Sequence, residues 1–194
     1  DHGQAAERCL QGIVVLQHPV TDEVAVAGAQ MTATLEAIGQ IPGPRVVFWP
    51  GEDAGADAMA KAIRVWQADH AEQTWHTVRN LPPVRFLRLM TQAGVVVGNS
   101  SAGIREGSYL GVPVVNIGTR QTGRERGPNV RDVSSDGEAI WAAACEQLQH
   151  GPYPSSVLYG RGDAGERIAE AIVYGPDRAV AGSRAKSSAN SAPH

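Results

Sequence analysis

The residues best suited to chemistry lie in one short segment, residues 98–106, which reads Gly-Asn-Ser-Ser-Ala-Gly-Ile-Arg-Glu. It follows the apolar run Val-Val-Val and leads into a stretch of helical composition. Small residues let backbone N–H groups approach an anion, and the positive end of a helix dipole then faces that anion. The pattern predicts a phosphate site, and the alternative is an ordinary strand-to-helix turn with a capping serine.

The carboxylate of Glu106 narrows the kind of ligand that this segment predicts. A carboxylate repels phosphate but accepts hydrogen bonds from hydroxyl groups such as those of ribose. The segment lacks the Gly-Lys-Ser/Thr of a Walker loop and the Gly-x-Gly-x-x-Gly of dinucleotide-binding proteins. The sequence therefore predicts a nucleotide site that is neither a Walker loop nor a dinucleotide-binding loop.

Polar side chains also follow the neighbouring apolar runs. Residues 118–126 hold three arginines, which suit bidentate contact with phosphate, although a solvated surface loop is the alternative. His18 ends the first run, where an imidazole can reach a phosphate or a hydroxyl group, or be structural. Asp53 ends the second run, and its spacing favours the N-cap of the next helix.

The pattern of apolar runs predicts an α/β fold. Short β-branched runs predict strands at residues 13–17, 45–49, 74–79, 95–97, 113–117 and 130–133. Helical composition predicts helices at residues 22–39, 56–69, 84–92, 103–110, 136–149 and 160–173. This alternation is typical of a Rossmann-like, doubly wound parallel sheet, which binds ligands at the carboxyl ends of its strands. All the polar motifs above fall at such ends.

Composition excludes several classes of protein. The 194 residues carry a net charge of −3 without a long basic run, which disfavours nucleic-acid binding. The sequence has no apolar stretch long enough to span a bilayer, and its six histidines show no metal-binding spacing. We expect a cytoplasmic protein with one folded domain, residues 1–175. Residues 176–194 are predicted to be disordered or a tail added for expression.

The motifs together resemble the C-terminal half of the hydrolysing UDP-N-acetylglucosamine 2-epimerases, from about residue 13 to about residue 172. The resemblance rests on His-Pro-Val-Thr at residues 18–21, the turn at residues 50–55, and the segments 98–106, 118–125 and 159–162. Non-hydrolysing relatives usually carry His-Arg-x-Glu-Asn in place of the His-Pro-Val-Thr at residues 18–21, so this motif favours the hydrolysing branch. The sequence departs from the family at Gly51, often Asn, and at Pro83, where some members have an aromatic residue.

The resemblance implies half of a two-domain fold of the GT-B type. It implies that Ser100 and Ser101 hold the diphosphate of UDP, Glu106 the ribose, and Arg120 a phosphate or the nucleotide. His18 would lie near the diphosphate and the sugar, as the one candidate catalytic residue in this chain. Two further residues, Asn99 and Asp53, are assigned to the substrate site. No metal and no redox cofactor is implied.

The family reaction eliminates UDP to give a 2-acetamidoglucal, and hydration then gives N-acetylmannosamine. The family's acid/base carboxylates lie in the N-terminal half, so we expect this chain to bind UDP or a UDP-sugar without turnover alone. The expected partners are the N-terminal domain or a complementing chain, and a second copy in a homodimer. The alternatives are half of a GT-B glycosyltransferase and a non-catalytic UDP-sugar-binding domain.

Overall fold

The structure is a computed structural model that describes residues 12–174. Its strands are β1 (Ile13–Leu16), β2 (Arg45–Phe48), β3 (Trp75–Val78), β4 (Val95–Gly98), β5 (Val114–Ile117) and β6 (Val130–Val133). Its α-helices are α1 (Ala27–Gly39), α2 (Ala56–Asp69), α3 (Pro83–Gln92), α4 (Ser101–Leu110), α5 (Gly137–His150) and α6 (Ala164–Tyr174). The predicted tail, residues 176–194, lies outside the described residues.

The strands form one parallel sheet in the order β3-β2-β1-β4-β5-β6, so the predicted doubly wound fold is confirmed. Strands β1, β4 and β5 are buried along their whole length, because helices cover both faces of the sheet. The order changes direction between β1 and β4. That switch point is where open α/β sheets bind their ligands.

Two separate apolar clusters cover the two faces of the sheet. One cluster joins β1, β2, β4 and β5 to α1, α2 and α5, and it includes the fully buried Met31, Met59 and Ile140. The other joins the strands to α3 and α4 through Met90 and Ala102. Helices α2 and α4 therefore lie on opposite faces of the sheet.

Close packing of β4 against β1 depends on Gly98. Its φ is 140°, and a Cβ built there would lie 2.2 Å from the carbonyl oxygen of Leu16. Only glycine fits so close to another backbone. This contact fixes the start of residues 98–106, the predicted phosphate site.

Three predicted helices begin at least two residues away from their predicted starts. The helix predicted from residue 22 starts as a 3-10 helix, Thr21–Val26, with non-helical dihedral angles at Glu23. Helix α4 begins two residues earlier than predicted because Ser100 is its N-cap. Helix α6 begins at Ala164 rather than residue 160, because Gly160 and Gly162 both adopt positive φ values that a helix excludes.

The contacts divide the described residues into two units, residues 12–158 and residues 159–174. The sheet and helices α1 to α5 belong to the first unit, and α6 to the second. Within residues 12–174, no helix is long and apolar enough to cross a membrane.

Candidate functional site

Asn99 connects the carboxyl ends of three strands. Its side-chain Oδ1 accepts the backbone N–H of His18 at 2.7 Å, and its Nδ2 donates to the carbonyl of His18 at 2.8 Å. Its own carbonyl accepts Nε2 of Gln121 at 2.8 Å and Nη1 of Arg120 at 3.3 Å. The ends of β1, β4 and β5 are thereby brought to one place.

The N-terminus of α4 lies at this junction. Oγ of Ser100 accepts the N–H of Ala102 at 3.4 Å, so the capping serine considered from the sequence is present. The N–H groups of Asn99 and Ser100 donate to the carbonyl of Leu16, at 3.0 and 3.1 Å. The next residue, Ser101, is partly exposed and begins the helix, so its N–H has no partner within the helix. The helix dipole adds positive potential at the same point.

Glu106 lies farther along α4 and is half-buried. Within residues 12–174, its carboxylate makes no hydrogen bond or ion pair that would occupy it. Glu106 is five positions after Ser101 in the helix, a rise of about 7.5 Å. An anion at the helix N-terminus and a hydroxyl-bearing group beside Glu106 can therefore belong to one ligand.

His18 follows β1 and lies between two charged side chains. Burial lowers the pKa of its imidazole, the positive charge of Arg120 lowers it further, and Asp53 opposes both. Its Nδ1 accepts the N–H of Gly51 at 3.4 Å, which places the ring proton on Nε2 in the neutral form. At neutral pH His18 is thus an uncharged hydrogen-bond donor through Nε2.

Asp53 does not cap α2, so the favoured sequence interpretation of this residue is wrong. Gly55 is the N-cap, with a φ of 94°, and no described side chain caps that end. The carboxylate of Asp53 instead lies near His18. A Cβ added at Gly51 would stand 3.7 Å from both Oδ2 of Asp53 and Nδ1 of His18. Gly51, where the family often has Asn, therefore lies beside both groups.

Hydrogen bonds at both ends hold the arginine-rich loop that follows β5. Near its start, Oγ1 of Thr119 donates to Glu23 at 2.6 Å. Near its end, Nε of Arg126 contacts both carboxylate oxygens of Asp132, at 3.1 and 3.0 Å. Asp132 also accepts Nδ2 of the buried Asn116 at 2.6 Å. The exposed Arg120 lies between these fixed points, beside Asn99.

The sequence interpretation missed the residues that position the site. Glu23 and Asp132 each look like ordinary surface carboxylates in the sequence, and Gln121 like an ordinary loop amide. Their partners are 96, 16 and 22 positions away. Nothing in one sequence signals such pairs. Among residues 12–174, no group of three His, Cys, Asp or Glu side chains is placed to hold a metal ion.

The sheet order, the switch point and the polar groups around Asn99 define a Rossmann-like domain with its ligand site at the carboxyl edge of the sheet. A family model described as UDP-N-acetylglucosamine 2-epimerase matches residues 4–173. The chain therefore belongs to the UDP-N-acetylglucosamine 2-epimerase family.

Curated relatives agree with that membership. The chain is 31% identical over 164 residues to the UDP-N-acetylglucosamine 2-epimerase of Neisseria meningitidis serogroup B, covering 80% of the chain and 41% of the relative. It is 30% identical over 154 residues to the UDP-N,N'-diacetylbacillosamine 2-epimerase (hydrolyzing) of Legionella pneumophila, covering 79% and 40%. The chain thus spans about two fifths of the length of these relatives.

Solved structures show the same fold. The UDP-GlcNAc 2-epimerase of Neisseria meningitidis, bound to UDP-GlcNAc, superposes with a TM-score of 0.61 at 16% identity, covering 84% of this chain and 44% of that one. The enzyme of Methanocaldococcus jannaschii, in complex with UDP-GlcNAc and UDP, gives 0.61 at 15% identity, covering 90% and 48%. The predicted fold class, half of a GT-B-type fold, is confirmed.

Proposed function

We propose that this chain is the UDP-binding half of a hydrolysing UDP-N-acetylglucosamine 2-epimerase, which converts UDP-GlcNAc and water to N-acetylmannosamine and UDP. One observation carries the proposal within this family. The hydrogen bonds of Asn99 bring together His18, the N-terminus of α4 and Arg120, at the switch point of the sheet. This arrangement suits a diphosphate with a sugar on either side.

Each part of UDP has a candidate contact. The diphosphate lies at the N-terminus of α4, where Ser100 and Ser101 supply hydroxyl groups and the helix dipole favours negative charge. Arg120 adds a guanidinium from the loop after β5. The ribose hydroxyls donate to the carboxylate of Glu106. Asn99 contributes by fixing the backbone around His18, since its side-chain amide is already hydrogen-bonded there.

The proposed chemistry requires stabilisation of the leaving group. A base removes the proton at C2 of the sugar, the bond from C1 to the UDP oxygen breaks, and a 2-acetamidoglucal forms. The leaving diphosphate gains negative charge in this step. Arg120, the serine hydroxyls and the α4 dipole stabilise that charge where it develops. His18 donates a hydrogen bond through Nε2 to the same region, and water then adds across the double bond.

The proposal leaves the acid/base carboxylates outside this chain. Asp53 faces His18, and Glu106 is assigned to the ribose, so neither is assigned to the C2 proton. Half of a cleft also lacks the closure that orients the sugar. We therefore propose binding of UDP or UDP-GlcNAc without turnover by the chain alone, and turnover when the N-terminal domain is supplied by a complementing chain.

An isotope experiment tests the proposal. The chain is incubated with UDP-GlcNAc in D2O, alone and with a complementing N-terminal half, and free UDP and N-acetylmannosamine are measured. We expect no product from the chain alone, and product deuterated at C2 from the pair. Robust turnover by the chain alone contradicts the half-enzyme proposal. Product that forms only with an added acceptor sugar identifies a glycosyltransferase instead.

A second candidate function is a UDP-sugar-binding domain without catalysis. The observation that favours it is that neither described carboxylate near the site is assigned to the C2 proton, since Asp53 lies near His18 and Glu106 is assigned to the ribose. This candidate predicts UDP binding by calorimetry and no product in either arm of the isotope experiment. We also propose that the protein is cytoplasmic and forms a homodimer. Light scattering on the 20.5 kDa chain tests the homodimer.

A further inference from the structure

Glu23 joins the segment after β1 to the arginine-rich loop after β5. It lies in the 3-10 helix Thr21–Val26, a few residues beyond His18. Its Oε1 accepts Oγ1 of Thr119 at 2.6 Å, across 96 positions of sequence, and its Oε2 accepts Nε2 of Gln30, on α1, at 2.6 Å. Both carboxylate oxygens are therefore engaged, and the contact with Gln30 orients the contact with Thr119.

The hydrogen bonds to Glu23 are charge-assisted. The hydroxyl of Thr119 and the amide of Gln30 lower the pKa of the Glu23 carboxyl, so this group is ionised at neutral pH. An ionised acceptor makes shorter and stronger hydrogen bonds than a neutral one. The backbone N–H of Glu23 also donates to the carbonyl of Val20 at 2.9 Å. Glu23 is thus a firm attachment point for the start of the loop.

Thr119 extends this attachment to Arg120, the next residue. The carbonyl of Thr119 accepts both the N–H and the hydroxyl of Thr122, at 2.9 and 2.7 Å, so the loop closes into a tight turn here. On the other side of Arg120, Nε2 of Gln121 donates to the carbonyl of Asn99 at 2.8 Å. Arg120 therefore lies between two residues that are each tied to another segment at this edge of the sheet.

The guanidinium of Arg120 depends on these attachments because its own contact is weak. Within residues 12–174, its one hydrogen bond is the 3.3 Å contact from Nη1 to the carbonyl of Asn99, and the side chain is exposed. Fixing an exposed arginine side chain costs rotamer entropy, and one long hydrogen bond offsets little of it. The backbone at residues 119–121 therefore sets where this guanidinium lies.

We propose that Glu23 is a positioning residue that, through Thr119, holds Arg120 beside the N-terminus of α4, where the proposed function places the departing diphosphate. Glu23 itself touches no substrate. The diphosphate contact rests on the proposed function, but the place of Arg120 does not. Its charge also acts on His18 in the chain without ligand, so His18 reports where Arg120 lies.

The sign of a change in the pKa of His18 separates positioning from direct electrostatics. The charged neighbours that act on this imidazole are Arg120, which lowers its pKa, and Asp53, which raises it. Removing a carboxylate near a base lowers the pKa of that base when nothing else changes. Glu23→Ala is expected to raise the pKa of His18 instead, because Arg120 is no longer held beside it.

An NMR titration of the imidazole C–H signals of His18, with the whole chain and no ligand, tests the proposal. We expect Glu23→Ala to raise the pKa, in the same direction as Arg120→Gln. In the double variant, Glu23→Ala is expected to add no further rise, because the charge through which it acts is already gone. An unchanged or lowered pKa in Glu23→Ala, or a further rise in the double variant, overturns the proposal.

Substitutions at Thr119 test the same contact from the loop. Thr119→Val removes the hydroxyl at nearly constant shape and is expected to raise the pKa of His18, as Glu23→Ala does. Thr119→Ser keeps a hydroxyl and is expected to leave the pKa at the parent value. An unchanged pKa in Thr119→Val shows that Glu23 does not act through this residue and overturns the proposal. Position 119 is exposed, so these variants are expected to fold.

Asp22→Ala is the matched control. Asp22 is the exposed neighbour of Glu23, and its carboxylate makes no hydrogen bond or ion pair with the part of the chain that the structure describes. Its removal changes the net charge by the same amount, so the pKa of His18 is expected to stay at the parent value or to fall. A rise equal to that in Glu23→Ala indicates a general effect on the 3-10 helix and overturns the assignment.

A UDP titration then links the position of Arg120 to the proposed function. Calorimetry is expected to show about tenfold lower UDP affinity in Glu23→Ala. Glu23→Gln retains an acceptor oxygen for Thr119 and is expected to bind UDP nearly as the parent does. Parent affinity in Glu23→Ala overturns the role at the diphosphate. If the parent chain binds no UDP, the proposed function fails, whereas the NMR titration still decides whether Glu23 positions Arg120.

Discussion

The side-chain amide of Asn99 is hydrogen-bonded to both backbone polar groups of His18, at 2.7 Å to the N–H and 2.8 Å to the carbonyl. The two residues are 81 positions apart and follow different strands. This pair fixes the distance between the imidazole and the N-terminus of α4. The proposed phosphate contacts and the candidate catalytic group are therefore positioned by one side chain.

The substitution Asn99→Ala tests this relationship. It leaves the N–H and the carbonyl of His18 without their partners, and we expect the free energy of unfolding to fall by about 2 kcal/mol or more. UDP affinity is expected to fall as well, because His18 and the helix N-terminus lose their common support. Urea denaturation and calorimetry measure the two effects. Asn80→Ala removes an exposed amide that makes no side-chain hydrogen bond to the described residues, and as the control it is expected to change neither quantity.

The ribose assignment depends on Glu106. Since its carboxylate is unpaired within residues 12–174, Glu106→Ala is expected to leave stability within about 0.5 kcal/mol of the parent. UDP affinity is expected to fall about tenfold, equivalent to about 1.4 kcal/mol. Glu72→Gln, in an exposed turn, is the control. An unchanged UDP affinity in Glu106→Ala shows that the ribose lies elsewhere.

The pKa of His18 gives a prediction with a defined sign. Burial and Arg120 lower it below 6.5, so the folded state favours the neutral ring. The unfolded state binds the proton first as the pH falls. The contribution of His18 to stability is therefore complete above about pH 6.5 and is lost as the pH falls from there through the lower folded pKa.

Two variants are expected to move that pKa in opposite directions. Arg120→Gln removes a positive neighbour and is expected to raise the pKa of His18, whereas Asp53→Asn is expected to lower it further. An NMR titration of the imidazole C–H signals measures both shifts. Shifts of the same sign in the two variants contradict the arrangement of charges around His18.

Gly98 and Gly123 form a matched pair of substitutions. Both have positive φ values, 140° and 81°, but a Cβ at Gly98 meets the carbonyl of Leu16 while one at Gly123 meets no described atom within 4 Å. Gly123→Ala is expected to cost about 1 to 2 kcal/mol through backbone strain alone. Gly98→Ala is expected to cost clearly more, because β1 and β4 must also move apart. Similar losses in urea denaturation are evidence against the close approach of these strands.

Local patterns predicted the elements of the fold well. Each predicted run became a strand. The central strands β1, β4 and β5 are mainly apolar because helices cover both faces of the sheet there, whereas the edge strands β3 and β6 are partly exposed and include polar residues. The starts of helices were predicted less well. Helix α4 begins two residues before its predicted start, because the side chain of Ser100 caps it. Helix α2 begins at the predicted residue, but its N-cap is Gly55 and not Asp53.

The sequence alone did not predict which distant residues form hydrogen bonds with each other. The role of Asn99 illustrates this. Its place beside two serines predicted a ligand contact, whereas its side chain is hydrogen-bonded to the backbone of His18. The pairing of Glu23 with Thr119 was equally unforeseeable, because an isolated sequence contains no information on which distant residues meet. The ligand contacts of the site residues stay predictions.

A UDP titration followed by NMR on the isotopically labelled chain tests the central claim most directly. We predict saturable shifts in the backbone amides of Ser101, Ala102 and Gly103 and in those of residues 118–121, with the imidazole of His18 also shifted. Uridine, which lacks the diphosphate, is expected to leave the amides at the start of α4 nearly unchanged. If UDP gives no saturable shifts, or shifts that lie away from α4 and the loop after β5, the account of this chain as a UDP-binding half is contradicted.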